Sequence, residues 1–192
     1  MTAGTVEGDV PGQGHLGPKI DEFDERVDAF LERYRGHPVA DTVFTAASGI
    51  ADFSLVWHLL SVARGVARRR PDQIVLLAVM IGVESLLVNQ GVKRLFNRRR
   101  PTTTGDARLP VRRPSTSSFP SGHASSAAFA ATMLSGWDRR SMGGLWWAVA
   151  AVVGTSRAYV RIHHASDVIA GAVVGVSFGL IGRRIARRIL PD

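Results

Sequence analysis

The chain has 192 residues, of which 45% are apolar, and 24 basic side chains against 16 acidic ones give it a net charge of +8. This length fits one domain, and the absence of cysteine excludes disulfide scaffolds, thiolate zinc sites and cysteine nucleophiles. Residues 1–36 carry eight acids and four bases, so the excess of bases lies in residues 37–192, where the bases bracket apolar runs. That placement is typical of a membrane protein and argues against a nucleic-acid partner.

The N-terminal part divides into a polar tail and an amphipathic segment. Residues 1–19 are rich in glycine and polar side chains and lack the apolar core of a cleavable signal peptide, so we expect a disordered tail. In residues 20–36 apolar side chains recur at helical spacing with six carboxylates between them, which predicts an amphipathic interfacial helix. Because its acidic face disfavours docking on anionic lipid, we expect it to pack on the rim of the bundle.

Residues 38–190 form the predicted membrane domain. Five segments approach the roughly 20 apolar residues that a helix needs to cross a bilayer. They are residues 43–63, 73–92, 119–137, 142–160 and 168–182. The alternative is a soluble helical bundle, but stretches such as LLAVMIGV have no polar stripe. The sequence therefore predicts an all-α polytopic membrane helical bundle of about five spans, preceded by the amphipathic helix.

Some residues within the spans carry side chains that are unusual in lipid. They are Asp52, His58, Glu84, Asn89 and Gln90. We interpret them as partners in hydrogen bonds between helices. Gly171, Gly175 and Gly179 form two overlapping G-x-x-x-G steps, which predict close helix packing inside the bundle rather than dimerisation.

Three polar clusters fall at span ends that alternation places on one side of the membrane. The first joins Lys93 to Arg100 and Pro101. If the helix continues past Lys93, seven positions are about two turns, so both cations share one face roughly 10 Å apart. A basic run at a span end is also a common topological anchor, and that alternative stays open for this cluster alone.

The second cluster, residues 118–123, leads directly into an alanine-rich helix. Backbone N–H groups and the helix dipole make such a helix start an anion site. His123 is placed there to donate a proton to a bound phosphate ester. A simple helix cap followed by an interfacial histidine is the alternative.

The third cluster, residues 156–167, places His163 and Asp167 four positions apart. On a helical turn the two share a face, and a carboxylate bonded to one ring nitrogen leaves the other free as a nucleophile. The pair could also be half of a metal site. We expect no metal, because Lys93, Arg100 and Arg157 would repel a dication and instead suit a phosphoryl group.

Together, K-x6-R-P, P-S-G-H and S-R-x5-H-x3-D resemble the signature of the type 2 phosphatidic acid phosphatases, which are integral-membrane lipid phosphate phosphatases. The match runs from Lys93 to Asp167, and every signature position is filled. The resemblance implies no cofactor and a phosphate bound by five residues. They are Lys93, Arg100, Arg157 and the backbone N–H groups of Ser121 and Gly122.

The resemblance also implies the roles of the three catalytic residues. His163, oriented by Asp167, would attack phosphorus and form a phosphohistidine. His123 would protonate the leaving oxygen and then activate water. Arg98, Arg99, Arg161 and His164 lie beside signature positions but match none, so we leave them out of the catalytic set.

We therefore predict a metal-independent phosphoric monoester hydrolase whose partners are the bilayer and a lipid phosphate. A lipid diphosphatase or phosphotransferase, and a non-catalytic anionic-lipid-binding protein, are the alternatives. Arginine outnumbers lysine 22 to 2, which favours a GC-rich bacterial genome, the plasma membrane and a polyprenyl or glycerolipid phosphate of the cell envelope. The positive-inside rule slightly favours an extracytoplasmic site once three cations are reserved for phosphate. The particular lipid and the oligomeric state do not follow from the sequence.

Overall fold

A computed structural model of the chain describes residues 10–102, 106–112 and 115–190. In these ranges the chain forms seven α-helices and no strand, which confirms the all-α prediction. The helices are α1 Pro18–Glu32, α2 Pro38–Ile50, α3 Leu55–Arg68, α4 Pro71–Leu86, α5 Gly122–Trp137, α6 Arg140–Tyr159 and α7 Ala165–Ile189. A π-helical turn, Leu87–Gly91, and a 3-10 turn, Val92–Leu95, extend α4.

Helix α5 is the centre of the bundle. Every residue from 124 to 134 is buried, so this helix has no solvent-facing or lipid-facing stripe. Helix α7 packs closely against it through glycine. A Cβ atom on Gly171 would come within 2.3 Å of Ser121 O, and one on Gly175 within 2.1 Å of Ser125 O. The predicted packing of this glycine face inside the bundle is thereby confirmed.

Replacing Gly175 with alanine should therefore destabilise the protein, because the new methyl group would meet the α5 backbone, which cannot rotate away. We expect a loss of about 1–3 kcal/mol in the free energy of unfolding, typical of overpacking. The measurement is the thermal unfolding midpoint in detergent. Gly144→Ala is the matched control, since nothing lies within 4 Å of that added atom on α6. Equal midpoints for the two variants would contradict the packing argument.

The outer surface of the bundle is apolar. Large apolar side chains are exposed on α2, α3, α4, α6 and α7, as expected for helices that face lipid. Pro71–Leu95 and Ala165–Ile189 are each long and apolar enough to cross a membrane, and α2 with the Asp52–Arg68 segment makes a third candidate if this pair, bent by 69°, is one span. Helix α5 has only 16 residues, fewer than the roughly 20 that a helix needs to cross a bilayer. The count of five membrane spans therefore stays a prediction.

The polar side chains inside the spans meet the prediction only in part. Asn89 and Gln90 bond within their own segment, to the Ser85 carbonyl oxygen and to Arg94, where the sequence predicts bonds between helices. Glu84 on α4 accepts hydrogen bonds from the hydroxyl groups of Ser125 and Ser126 on α5, the latter at 2.9 Å. Both carboxylate oxygens of this buried side chain are therefore satisfied. Glu84 contributes to helix packing in the bundle core.

Helix α1 lies across the end of the bundle where α6 ends and α7 begins. Asp28 on α1 receives the guanidinium groups of Arg35 and Arg161 at 2.6 and 2.9 Å. The predicted packing on the bundle's rim is thereby confirmed. The predicted tail, residues 1–19, lies partly outside the described residues. Within its described part, residues 11–16 form turns, and the Gly12 carbonyl accepts a hydrogen bond from Arg98.

Candidate active site

Five chain segments meet around one cavity of about 390 Å³. They are the bend between α2 and α3, the end of α4 with the turns that extend it, the loop that contains Arg112 and Thr116, the start of α5 and the turn before α7. Residues from all three sequence clusters line or border this cavity, among them Lys93, Gly122, His123 and His163. The predicted convergence of the clusters at one end of the bundle is confirmed.

His163 lies in the turn between α6 and α7 and is almost fully buried. Its Nδ1 faces Asp167 Oδ2 at 3.6 Å, and the Ser118 hydroxyl group lies between them, 3.4 Å from Nδ1 and donating to Oδ2 at 2.5 Å. The sequence predicts this pair on one helical turn. The structure differs, because α7 begins at Ala165, after the histidine. Asp167 meets the ring because its carboxylate caps α7 by accepting the His164 N–H.

The Arg100 contact defines the tautomer of His163. Arg100 Nη1 lies 3.1 Å from His163 Nε2. Because a guanidinium group has no acceptor atom, Nε2 must accept this hydrogen bond, so the ring proton of a neutral imidazole lies on Nδ1, toward Asp167. Nε2 is therefore unprotonated and carries the lone pair that a nucleophile requires, which here accepts from Arg100.

The surroundings of His163 also lower its pKa well below the ordinary value of 6.5. Burial is the main cause, since it disfavours the charged ring, and the positive charge of Arg100 acts in the same direction. Asp167 opposes both effects. The ring is consequently neutral at physiological pH.

Arg98 holds the Asp167 carboxylate from the other side. Its Nη1 donates to Asp167 Oδ1 at 2.7 Å, and its Nη2 donates to Asp24 Oδ2 on α1 at 2.8 Å. Asp24 also accepts from the backbone N–H and the hydroxyl group of Ser166, both at 2.7 Å. The Arg98 side chain is completely buried between these two carboxylates. A buried guanidinium group that donates to two carboxylates fixes the position of both anions.

His123 is at the second position of α5 and has its own carboxylate partner. Its Nε2 lies 3.0 Å from Asp52 Oδ1, at the bend between α2 and α3. Phe53 and Ser54 of this bend have φ angles of 54° and 58°, a left-handed conformation that non-glycine residues rarely adopt. Since a carboxylate can only accept, the proton of this pair lies on Nε2.

Of the three cations that the sequence predicts for phosphate binding, Lys93 lines the cavity and Arg100 contacts His163, which lines it. Lys93 Nζ is 3.4 Å from Thr116 Oγ1, and Arg100 Nη2 donates to the Thr116 carbonyl oxygen at 3.1 Å. The helix does not continue from Lys93 to Arg100 as the two-turn argument supposes, because it ends at Leu95. Lys93 and Arg100 nevertheless lie close together, because both contact Thr116.

Arg157 is the third cation, and its guanidinium group is only partly satisfied. Nη1 donates to the carbonyl oxygen of Ser48 at 2.9 Å and also contacts the Ser48 hydroxyl group. Nε and Nη2 are buried and have no hydrogen-bond partner. Unpaired buried donors of a charged group are costly, which favours an anion as their missing partner.

The start of α5 corrects one predicted contact. The Ser121 N–H donates to the Asp167 carbonyl oxygen at 2.9 Å, and the Ser121 hydroxyl group caps α5 by accepting from Ala124 N. Ser121 is fully buried and therefore does not offer its N–H to a ligand, contrary to the prediction. Gly122 does line the cavity, and a Cβ atom there would lie 3.6 Å from Lys93 Nζ. Of the first three helical N–H groups, those of Gly122 and His123 remain for an anion, because that of Ala124 is taken by the Ser121 cap.

The sequence of residues 73–190 matches the PAP2 superfamily. This match spans more than half of the chain. The chain belongs to the PAP2 superfamily. The resemblance to type 2 phosphatidic acid phosphatases drawn from the three motifs is thereby confirmed.

Two solved structures share the PAP2 fold of this chain. The transmembrane PAP2-type phosphatidylglycerolphosphate phosphatase of Bacillus subtilis superposes with a TM-score of 0.68 at 20% identity, over 90% of this chain and 88% of that one. LpxE of Aquifex aeolicus superposes with a TM-score of 0.65 at 26% identity, over 83% and 93%. No curated protein matches the sequence. With its lipid-facing helices, this PAP2 chain is a helical integral membrane protein with the fold of membrane lipid phosphatases.

Two residues of this PAP2 site were missed by sequence reasoning. Arg98 was set aside because it matches no signature position, although it holds Asp167. Asp52 was interpreted as an ordinary inter-helix partner, yet it pairs with His123.

Among the described residues, no three His, Asp or Glu side chains are arranged to hold a metal ion.

Proposed function

We propose that this protein hydrolyses a lipid phosphate monoester through a phosphohistidine intermediate. The observation that carries the proposal is the partly unpaired Arg157 guanidinium group beside a cavity lined by both His163 and His123. This arrangement combines a nucleophile, a proton donor and cations around a space for one phosphate. A protein that only binds anionic lipid would need the cations but neither histidine.

In the proposed first step, Lys93, Arg100 and Arg157 bind the phosphate oxygens together with the Gly122 N–H. The phosphate takes the Arg100 contact from His163, which frees Nε2 to attack phosphorus. A bond forms between Nε2 and phosphorus as the bond to the ester oxygen breaks. His123, protonated beside Asp52, gives its proton to that oxygen, and the lipid alcohol leaves.

In the second step, His123 accepts a proton from water, and the resulting hydroxide attacks the phosphohistidine. The bond between nitrogen and phosphorus breaks, inorganic phosphate is released, and His163 becomes neutral again. Asp167 stabilises the positive ring that exists during each transfer, with its own position fixed by Arg98 and Ser118. No step requires a metal ion.

The proposed substrates are polyprenyl or glycerolipid phosphates of a bacterial plasma membrane. The cavity is at the end of a bundle whose outer surface is apolar, so a lipid can keep its chains in the membrane while its phosphate enters the site. The charge distribution near the span ends favours an extracytoplasmic position.

The test is phosphate release in detergent from phosphatidate, phosphatidylglycerophosphate, polyprenyl monophosphate and polyprenyl diphosphate. We expect at least one monophosphate to be hydrolysed, with the same rate in excess chelator, since the charge is balanced by arginine and lysine. Loss of activity in chelator that is restored by magnesium or zinc would contradict the metal-free mechanism. Release from the diphosphate alone would contradict the monoesterase assignment.

A further inference from the structure

Helix α1 directs its acidic face toward the protein. Asp24 is buried against Arg98 and Ser166, and Asp28 binds Arg35 and Arg161. Glu32 binds Arg108 at 3.1 Å, and its hydrogen bond from Arg35 keeps the pKa of Glu32 below the ordinary value. The sequence argument against docking on anionic lipid assumed that these carboxylates face outward. In the structure their charge is compensated by arginines of the same protein.

The opposite face of α1 and its C-terminal extension carry a different set of side chains. At 100° per residue, three bases and three aromatic residues fall within an arc of about 100°. They are Lys19, Phe23, Arg26, Phe30, Arg33 and Tyr34. We name this set the α1 stripe. Its aromatic residues are 39%, 52% and 48% exposed, and the Arg26 side chain is 72% exposed.

Bases and aromatics are also separated within the α1 stripe. The bases lie along one edge of the arc, and the aromatic residues lie along the other, where Phe30 and Tyr34 pack edge to face at 5.4 Å. Glu22 lies beside the basic edge and pairs with Arg26, so the stripe keeps a net positive charge. A positive stripe disfavours contact with the same stripe of a second copy.

The aromatic edge continues into the membrane-facing surface. Helix α2 begins at Pro38, with five residues between it and the end of α1, and belongs to a candidate span. Its side chains Val39 and Val43 are 65% and 47% exposed. A surface that passes from lipid-facing valines to exposed aromatics and then to bases has the order of an acyl layer, a headgroup boundary and lipid phosphates.

We propose that the α1 stripe docks on the headgroup layer of a membrane that contains anionic lipid. The aromatic residues reach the boundary between headgroups and acyl chains, and Lys19, Arg26 and Arg33 contact lipid phosphates. This contact is independent of the proposed reaction, because no residue of the stripe touches the cavity. It places an electrostatic lipid contact beside the active-site end of the bundle.

A single introduced thiol tests the docking, because the chain has no cysteine. Phe30→Cys places an environment-sensitive fluorophore within the stripe. Ala29→Cys is the matched control, because residue 29 is also exposed but lies about 90° around the helix from the middle of the stripe. In nanodiscs that each hold one copy, we expect spin-labelled lipid headgroups to quench the label at position 30 severalfold more than the label at position 29. Equal quenching of both labels, or quenching of neither, would overturn the proposal.

A second comparison tests whether the positive charge of the α1 stripe contacts anionic lipid. Phosphatidylglycerol added to phosphatidylcholine nanodiscs should increase quenching at position 30, and the combined Lys19→Gln, Arg26→Gln and Arg33→Gln changes should remove that increase. Hydrolysis of a short-chain soluble phosphate ester should be unchanged in this variant, which shows that it is folded. If phosphatidylglycerol has no effect, or if its effect survives the three changes, the assignment to anionic lipid is wrong.

Discussion

His163→Ala should abolish phosphate release, with a loss of roughly 10⁴-fold or more, as expected when a nucleophile is removed. The neutral imidazole presents Nε2 toward Arg100 and the cavity, and alanine offers no atom that can bond to phosphorus. The measurement is release of inorganic phosphate from the best lipid of the panel. A non-catalytic lipid binder would show no release in either form and would bind lipid equally well with and without His163.

The control for this variant is His15→Ala, which removes an exposed histidine from a turn. We expect it to keep the parent rate. A labelled substrate provides a direct check, because rapid quenching in alkali should trap phosphate on the parent protein and none on His163→Ala. Trapped phosphate on the His163 variant would assign the nucleophile to a different residue.

Asp167→Asn should lower kcat by about 10²–10⁴-fold with a much smaller change in KM, since a correctly oriented carboxylate is worth about this much to a catalytic histidine. An amide can donate to Nδ1 and favour the wrong tautomer, with the proton on the attacking nitrogen. It also removes one carboxylate partner of Arg98, which keeps Asp24 at 2.8 Å and Asp21 at 4.0 Å. Steady-state kinetics measures the effect, and the thermal midpoint measures the accompanying loss of stability.

Asp72→Asn is the control for Asp167, because Asp72 pairs with Arg70 near the start of α4 and is partly exposed. It should leave kcat unchanged. The pH profile separates positioning from general damage. Since Asp167 raises the pKa of His163, its removal should move the acid limb of kcat/KM to lower pH. An unchanged rate in Asp167→Asn would remove this carboxylate from the mechanism.

Sequence reasoning succeeded where short motifs determine local geometry. The Pro-Ser-Gly-His run predicts a helix start, and the spacing from His163 to Asp167 predicts a contact. The partners of Arg98 and His123 could not be predicted in this way. Asp24 and Asp167 lie 74 and 69 positions from Arg98, and Asp52 lies 71 positions from His123.

Two further features have a common physical origin. A helical period shows that α1 is amphipathic, but it does not show which face meets the protein and which remains outside. Likewise, the residues at the start of α5 predict free N–H groups, but the close approach of α7 through Gly171 brings the Asp167 carbonyl oxygen to Ser121. Both outcomes depend on how helices pack, which a single sequence does not specify.

The buried contact between Asp24 and Arg98 joins the N-terminal helix to the carboxylate beside His163. Loss of the aspartate alone leaves a cation half-compensated inside the protein, and loss of the arginine alone leaves two anions facing each other. The two side chains are therefore coupled, and the energetic cost of replacing either one depends on whether the other is present.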